Sequence, residues 1–521
     1  MSDQKNRLVL DVDIRGAGVA FAASTPIIQD ARARLVPGFY GLVGANGAGK
    51  TTLLRVLAGE LAPREGSVRR EPRDACVVLC PQDAEDLTDD VRALASSSGG
   101  GGGGWQGQLR GRLGLVPAEI ERWPSLSPGE RKRWQIGAAL ARDPDVLLLD
   151  EPTNHLDGPG RALLVGALRR FGGIGVIVSH DRELLDDLPG AILRVHDARV
   201  TIYSGNYAAA RAAWEAERHA AEEAHERGRA RVRQVAARLD EARRDQAGAD
   251  LARNAGRRMK QKNDHDGRSS GNKMCAGWAQ ARSGRTVEVV RRELARAESE
   301  VTSLTRDRTV GGRIFAAYQR APSPVLFHVD AEAIEAGGLA AGSSIAPDTI
   351  LRDVRVTVAR DDRVRIAGAN GEGKTTLLGA LLRGGPPRER ILHLPQELDA
   401  TEVARLAGAL RELDPDVRGR VLSVFAALGS DPERIVFRRT EDIAKLSPGE
   451  ARKLSLAMGL GRHAWALVLD EPTNHLDLPS IERLEGALEG YPGCVLLVTH
   501  DEAFASAVTT RTLRVDGGTV M

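Results

Sequence analysis

The chain has 521 residues, 42% apolar and 4% aromatic, and its 73 Lys/Arg against 71 Asp/Glu leave a formal charge of +2. At roughly 150 residues per domain this length predicts three or four domains. No apolar run approaches the ~20 residues of a membrane span, and the charged start Met1-Ser2-Asp3-Gln4-Lys5-Asn6-Arg7 precedes no signal-like apolar core, so the sequence excludes a membrane channel and predicts a cytoplasmic protein.

The charge is unevenly spread. Gly205 to Arg320 carries 25 Lys/Arg against 16 Asp/Glu, and the remainder 48 against 55. A basic middle between mildly acidic flanks points to an anionic partner for the middle. The four cysteines, Cys76, Cys80, Cys275 and Cys494, form no paired C-x-x-C sites. Cys76 and Cys80 share one face of a strand, and a buried structural role is expected for them rather than metal or disulfide.

In chain order, residues 8–43 read as strands, with Pro37-Gly38 turning the chain into the last of them. Gly44-Ala45-Asn46-Gly47-Ala48-Gly49-Lys50-Thr51-Thr52 follows, a match to G-x-x-x-x-G-K-[ST]. The glycines let backbone N–H groups curl around phosphate oxygens, the lysine reaches the β/γ-phosphates, and the threonine hydroxyl is a Mg²⁺ ligand. A helix beginning at the loop's end turns its positive N-terminus to the same anion. Phe21, 23 residues before Gly44, is either an adenine-stacking ring or a half-buried strand residue. Val77 to Gln82 is a strand ending in glutamine, a surface residue or a contact to Mg²⁺ or the attacking water. Ser96 to Gly104 is a low-complexity loop, and only 44 residues separate Gln82 from Leu126, too few for a large inserted arm.

Leu126-Ser127-Pro128-Gly129-Glu130 reads as a helix start: Ser127 is the N-cap, Pro128 the first helical residue, and Glu130 completes a capping box. The same geometry presents a hydroxyl and free N–H groups to an anion. Val146 to Asp150 is a continuous apolar run, a strand buried on both faces. The adjacent carboxylates Asp150 and Glu151 at its end need a reason, since unpaired buried charge is costly. Mg²⁺ supplies one for the aspartate, and the glutamate polarises the water attacking a γ-phosphate. A further strand ends at His180, by itself a residue more often structural than catalytic.

All of this recurs. Gly368, Asn370, Gly371, Gly373, Lys374, Thr375 and Thr376 repeat the phosphate loop 324 residues on, and Gln396 repeats Gln82. Ser447, Gly449, Asp470, Glu471 and His500 repeat the later motifs at a common offset of 320 residues. The chain is therefore two copies of one α/β catalytic domain.

In this order the motifs resemble the ATP-binding cassette family over residues 1–207 and 324–521. The resemblance implies two P-loop NTPase cassettes packed head to tail, with each ATP between one phosphate loop and the other cassette's signature. Lys50 then shares a site with Ser447 and Gly449, and Lys374 with Ser127 and Gly129. It further implies Glu151 and Glu471 as general bases and His180 and His500 as γ-phosphate sensors. Thr51, Asp150 and Gln82 would hold one Mg²⁺, and Thr375, Asp470 and Gln396 the other. Both sites keep every catalytic residue, and both are expected to hydrolyse ATP. There are two departures. Pro128 and Pro448 replace a common glycine, each losing an N–H donor, and Ile345 stands where the counterpart of Phe21 falls.

Tandem cassettes with Glu-Pro-Thr-Asn-His-Leu-Asp in both halves and no membrane domain resemble the ABC-F family. That resemblance implies a monomer that binds the E site of the 70S ribosome in its ATP form and acts on P-site tRNA and the peptidyl-transferase centre through the linker between cassettes. Residues 208–323 fit this linker. Ala208 to Arg244 reads as a helix with Val232, Val235 and Leu239 on one face, and Val290, Leu294, Ala297, Val301 and Leu304 follow coiled-coil spacing, so an antiparallel hairpin is expected. Its intervening stretch, Arg253 to Arg285, has nine basic residues against two acidic ones. Arg257, Arg258, Lys260, Lys262, Arg268, Lys273 and Trp278 are candidates to contact rRNA, against the plainer reading of a solvated hairpin tip. The long linker, the short first-cassette insertion and an end close to the last expected strand favour antibiotic resistance over housekeeping. The alternatives are the ATPase subunit of a drug exporter with a separate membrane partner, which would not need a basic 116-residue linker, and a DNA-repair or chromosome-type ATPase, whose zinc modules or very long coiled coils are missing.

Overall fold

The computed structural model describes residues 8–14, 27–97, 104–154, 156–258, 268–303, 314, 317–335, 338–339, 349–369, 371–436 and 446–521. Phe21, Lys260, Lys262, Leu304, Ile345 and Asn370 lie outside them. The chain forms two compact units. One joins Met1–Ala210 with Val310–Met521, and the other is Arg211–Thr309.

The first unit contains two similar arrays of five parallel strands, each within a larger mixed sheet. In the first, the strands Ala191–His196, Gly38–Gly44, Ile174–Val178, Val146–Asp150 and Val77–Cys80 lie side by side in that order. In the second, Arg511–Asp516, Arg363–Ala367, Cys494–Val498, Ala466–Asp470 and Ile391–Leu394 repeat it. Pairing is parallel throughout these ten strands, with Leu42 opposite Val178 and Val178 opposite Asp150. The phosphate loop, the Asp-Glu pair, the histidine and the glutamine therefore all leave the sheet at one edge, the carboxyl ends of parallel strands where α/β proteins bind ligands.

The apolar runs explain why these strands sit at the centre. All five residues of Val146–Asp150 are buried. Leu147 and Leu149 enter one core with Trp134 and Leu164, while Val146 and Leu148 enter the other with Leu53 and Leu193. Leu467 and Leu469 divide from Ala466 and Val468 in the same way. A strand buried on both faces has no polar alternation to display. Val78 and Cys80 are buried on a common face against which Cys76 packs, and burial pushes the Cys80 thiol up to about 12. Between Gln82 and Leu126 the described chain forms only the short helices Asp89–Ser96 and Trp105–Leu113 and a 3₁₀ segment Pro117–Ser125. Ile314, Tyr318 and Ala321, which the sequence places at the end of the linker, pack into the second cassette. Ile314 and Ala321 join its two cores, and Tyr318 meets Tyr491 edge-on with ring centroids 5.5 Å apart.

Among the described residues, the second unit consists of two helices, the later part of Tyr207–Arg258 and Arg268–Ser303. Val235, Leu239 and Val290 are buried together, with Val287 and Leu294 packed against them. Ala297 is also buried, while Val232 and Val301 are half-buried. Arg238 pairs with Glu293 at 3.4 Å and Arg231 with Glu300 at 3.8 Å. One partner rises in number as the other falls, so the helices run antiparallel, the expected hairpin. Arg257, Arg258, Arg268, Lys273 and Trp278 are on its helical backbone.

Leu148 is wholly buried whereas Val289 is 64% exposed beside buried Val290. In urea unfolding, Leu148→Ala is expected to cost about 2–5 kcal/mol, and Val289→Ala less than about 0.5 kcal/mol.

Candidate functional site

Each phosphate loop begins a helix, Lys50–Ala58 and Lys374–Arg383. The residues before them, Gly49 and Gly373, have φ of 99° and 98°, the left-handed region that a side chain disfavours. A Cβ on Gly49 would also fall 2.4 Å from Ile27 Cγ2, and one on Gly373 2.6 Å from Ile350 Cγ2. Both requirements leave glycine alone at this turn. Lys50 Nζ donates to the carbonyls of Gly44 (2.9 Å) and Ala45 (3.1 Å), and Lys374 Nζ to those of Gly368 (2.8 Å) and Ala369 (2.9 Å). Thr51 Oγ1 donates to Asp150 Oδ2 at 2.8 Å and Thr375 Oγ1 to Asp470 Oδ2 at 3.4 Å.

The next residues in the chain, Glu151 and Glu471, are buried and share a φ of 47°, a conformation costing of order 1–3 kcal/mol for a non-glycine residue. Their N–H groups donate to Val178 O and Val498 O, which holds each turn at the strand end. Burial, chiefly, pushes the Glu151 carboxyl up to about 8 and that of Glu471 up to about 7. His180 Nε2 is 3.2 Å from Glu151 Oε1, and His500 Nε2 is 3.6 Å from Glu471 Oε1. Burial and then the Lys50 charge push His180 down to about 3, and His500 is lowered by burial and Lys374. Both imidazoles are therefore neutral near pH 7. Among the described residues, nothing hydrogen-bonds to the buried Glu151 Oε1 or Glu471 Oε1, an unsatisfied position that suits a proton acceptor facing a reacting water. With a threonine hydroxyl and an aspartate carboxylate as hard oxygen donors in each site, the residues fit Mg²⁺ held largely by phosphate.

A cavity of about 1540 Å³ between the cassettes is lined by Asn46, Gly47, Gly49, Lys50, Thr51, Thr52, Gln82, Ser127, Asp150, Glu151 and His180. From the second cassette Gly371, Gly373, Lys374, Thr375, Thr376, Gln396, Ser447, Gly449, Asp470, Glu471 and His500 line it. Gly44, Gly368 and Gly129 do not. The first two turn carbonyls to the lysines, and Gly129 is buried in the first turn of its helix. Ser127 and Ser447 cap the helices Pro128–Ala141 and Pro448–Leu460, accepting from the N–H groups of Glu130 and Glu450. Each proline takes the first helical position, where no intrahelical partner awaits an N–H.

The cassettes meet head to tail. Asn46 N donates to Asp477 Oδ2 at 2.7 Å and Asn46 Nδ2 to His475 O at 3.0 Å. A Cβ on Gly449 would lie 3.2 Å from Asn46 Nδ2, so the second signature abuts the first phosphate loop. Asp157 is near enough to raise both Lys374 and His500 against the lowering effect of their burial, which brings the first cassette to the second site. Burial alone would raise the Asp477 carboxyl. Lys453, 3.6 Å away, with Ser480 and the Asn46 N–H, holds it below its ordinary value. Two further bonds cross the same half of the interface, Arg182 Nη1 to Glu485 Oε2 (2.6 Å) and Tyr207 OH to Glu482 Oε1 (2.9 Å). The positions 320 residues before these acceptors are Val165 and Ala162, which carry no acceptor side chain.

Besides Arg182 and Lys453 at the junction, two more buried cations escaped the motif reading. Lys132 donates to Pro81 O, Gln82 O and Asp150 O, and Arg452 to Gln396 O, Asp470 O and Glu471 O. They recur at the 320-residue offset, five residues after each signature serine. That recurrence is the signal that could have found them.

Residues 38–154 and 351–474 match the family model described as ABC transporter. The chain is 28% identical to the ribosome protection protein VmlR of Bacillus subtilis, over 91% of this chain and 81% of that protein. It is 31% identical to the tylosin resistance ATP-binding protein TlrC of Streptomyces fradiae, over 92% of each. It is 26% identical to ABC transporter F family member 5 of Arabidopsis thaliana, over 92% of this chain and 71% of that one. Among the described residues no helix is long and apolar enough to cross a membrane. With both cassettes matched, a relative of 31% identity along nearly the whole length, and two phosphate loops facing each other's cassette, this chain belongs to the ABC-F family of tandem-cassette ATPases.

Proposed function

We propose that this protein is a cytoplasmic, monomeric, ribosome-associated ATPase of the resistance type, which binds the E site of the 70S ribosome when ATP holds its cassettes together. Its linker then acts on P-site tRNA and the peptidyl-transferase centre, and protects the ribosome from an antibiotic. The observation that carries this reading is the antiparallel hairpin inserted between the cassettes, within a segment of 25 basic against 16 acidic residues. An exporter subunit has no use for such an insertion, whereas positive charge is what a phosphate backbone selects. The likeness to proteins named for ribosome protection and tylosin resistance supports the same reading. Arg257, Arg258, Lys260, Lys262, Arg268, Lys273 and Trp278 are proposed as its rRNA contacts.

Within each site the roles follow from the chemistry of the groups. Mg²⁺, held by Thr51, Asp150 and Gln82 or by Thr375, Asp470 and Gln396, would neutralise phosphate charge when bound. Lys50 and Lys374 exchange their loop carbonyls for β/γ-phosphate oxygens, and the backbone N–H groups from Gly47 to Thr52 and from Gly371 to Thr376 wrap the same phosphates. The Ser447–Gly449 turn completes the Lys50 site, and the Ser127–Gly129 turn the Lys374 site. Glu151 and Glu471 accept the water proton at Oε1. His180 and His500, uncharged, hold a γ-phosphate oxygen through Nε2 without adding a cation.

Glu151→Gln/Glu471→Gln is expected to bind ATP, keep it, and move into the 70S peak on a sucrose gradient. A variant that binds ATP and stays at the top would end the ribosome reading.

A raised carboxyl is protonated, and so inactive as a base, below its pKa. The ATPase kcat/KM should therefore rise with pH through about 7 to 8. Glu471→Gln and Glu151→Gln should each keep a rising limb, set by the glutamate that remains. A flat profile in either variant would contradict the assignment of its remaining glutamate as the base.

A further inference from the structure

Arg452 is 2% exposed and Lys132 3% exposed. Burying a cation is costly unless it is fully hydrogen-bonded. Here the described hydrogen bonds go to backbone carbonyls, not to carboxylates. Arg452 Nη1 donates to Gln396 O at 3.0 Å, and Nη2 to Asp470 O at 2.8 Å and Glu471 O at 2.6 Å. Lys132 Nζ has three N–H donors and three carbonyl acceptors, Pro81, Gln82 and Asp150. A cation used in this way fixes the path of the chain, while its charge also stands near the strand-end carboxylates.

The segments it fixes belong to different ATP sites. Gly449 faces Asn46 of the first phosphate loop. Three residues along the same helix, Arg452 holds the glutamine loop and the acidic strand end that face Lys374. One turn of helix thus touches both sites. The held carbonyls include that of Glu471, whose backbone is in the left-handed region and needs an external constraint to stay there. Lys132 stands in the same relation to Ser127 on one side and to Gln82 and Asp150 on the other.

We propose that Arg452 and Lys132 are positioning residues that lock each signature helix to the glutamine loop and acidic strand end of its own cassette, so that each side chain serves both ATP sites. This rests on the assignment of the two sites made above.

The test isolates the sites. In Glu151→Gln only the Lys374 site turns over, and in Glu471→Gln only the Lys50 site. Adding Arg452→Met to each should lower kcat by roughly tenfold or more with KM for ATP within about twofold, at an unchanged folded fraction by circular dichroism. Arg452→Lys, the residue that the first cassette uses, should retain turnover in both backgrounds. A loss confined to the Glu151→Gln background would make Arg452 local to one site and overturn the proposal. Undiminished kcat in both, a loss that tracks the folded fraction, or no retention by Arg452→Lys would overturn it equally. Failure of the site assignment has a separate signature: Glu151→Gln and Glu471→Gln would each keep the full parent rate before Arg452 is touched.

Discussion

Two carboxylates at the end of a strand buried on both faces are the constraint around which each cassette is arranged. Asp150 and Glu151 cannot stay there unaided, and the neighbouring groups answer them one by one. Thr51 gives Asp150 a hydroxyl proton, Lys132 caps its carbonyl, and Lys50 stands close enough to oppose the upward push of burial on Glu151. The compensation is incomplete at Glu151 Oε1, and the second cassette leaves the same atom of Glu471 open. The same glutamate oxygen, beside a histidine ring nitrogen, is left without a hydrogen bond in both cassettes, a position that suits chemistry.

The second constraint is the junction of the cassettes. Asp477 caps the helix Leu478–Glu489 through Ser480 N and also accepts the backbone N–H of Asn46. A carboxylate at this point is stabilised by the helix N-terminus, by Lys453 and by the phosphate loop together. The first loop is thereby shaped in part by the second cassette, so neither cassette alone presents this site.

Much of this was legible because phosphate chemistry admits few solutions. The glycine turn at Gly49 and Gly373, the lysines behind it, and the strand order that collects Gln82, Asp150 and His180 at one edge all follow from motifs whose spacing is set by backbone geometry. The hairpin was legible from the spacing of Val235, Leu239, Val290 and Ala297. Lys132 and Arg452 were not, because a buried cation bonded to carbonyls looks in sequence like any charged residue on a helix. Nor were Arg182 and Glu485, which are 303 residues apart and break the repeat that made the other residues visible. The entry of Ile314, Tyr318 and Ala321 into the second cassette has no local pattern, since three apolar residues in an irregular segment become core only when a surface is waiting for them.

The broken repeat has a consequence for how such a chain arose and how it can be rearranged. Two halves descended from one ancestral cassette began with interchangeable faces. Arg182 and Tyr207 now reach acceptors that only the other half possesses. A dimer of two first cassettes would set Arg182, 8% exposed, against Val165, and a guanidinium without an acceptor in a closed joint would disfavour the pairing. The joint thus favours unlike halves over like ones, and the order of the halves has become part of the structure.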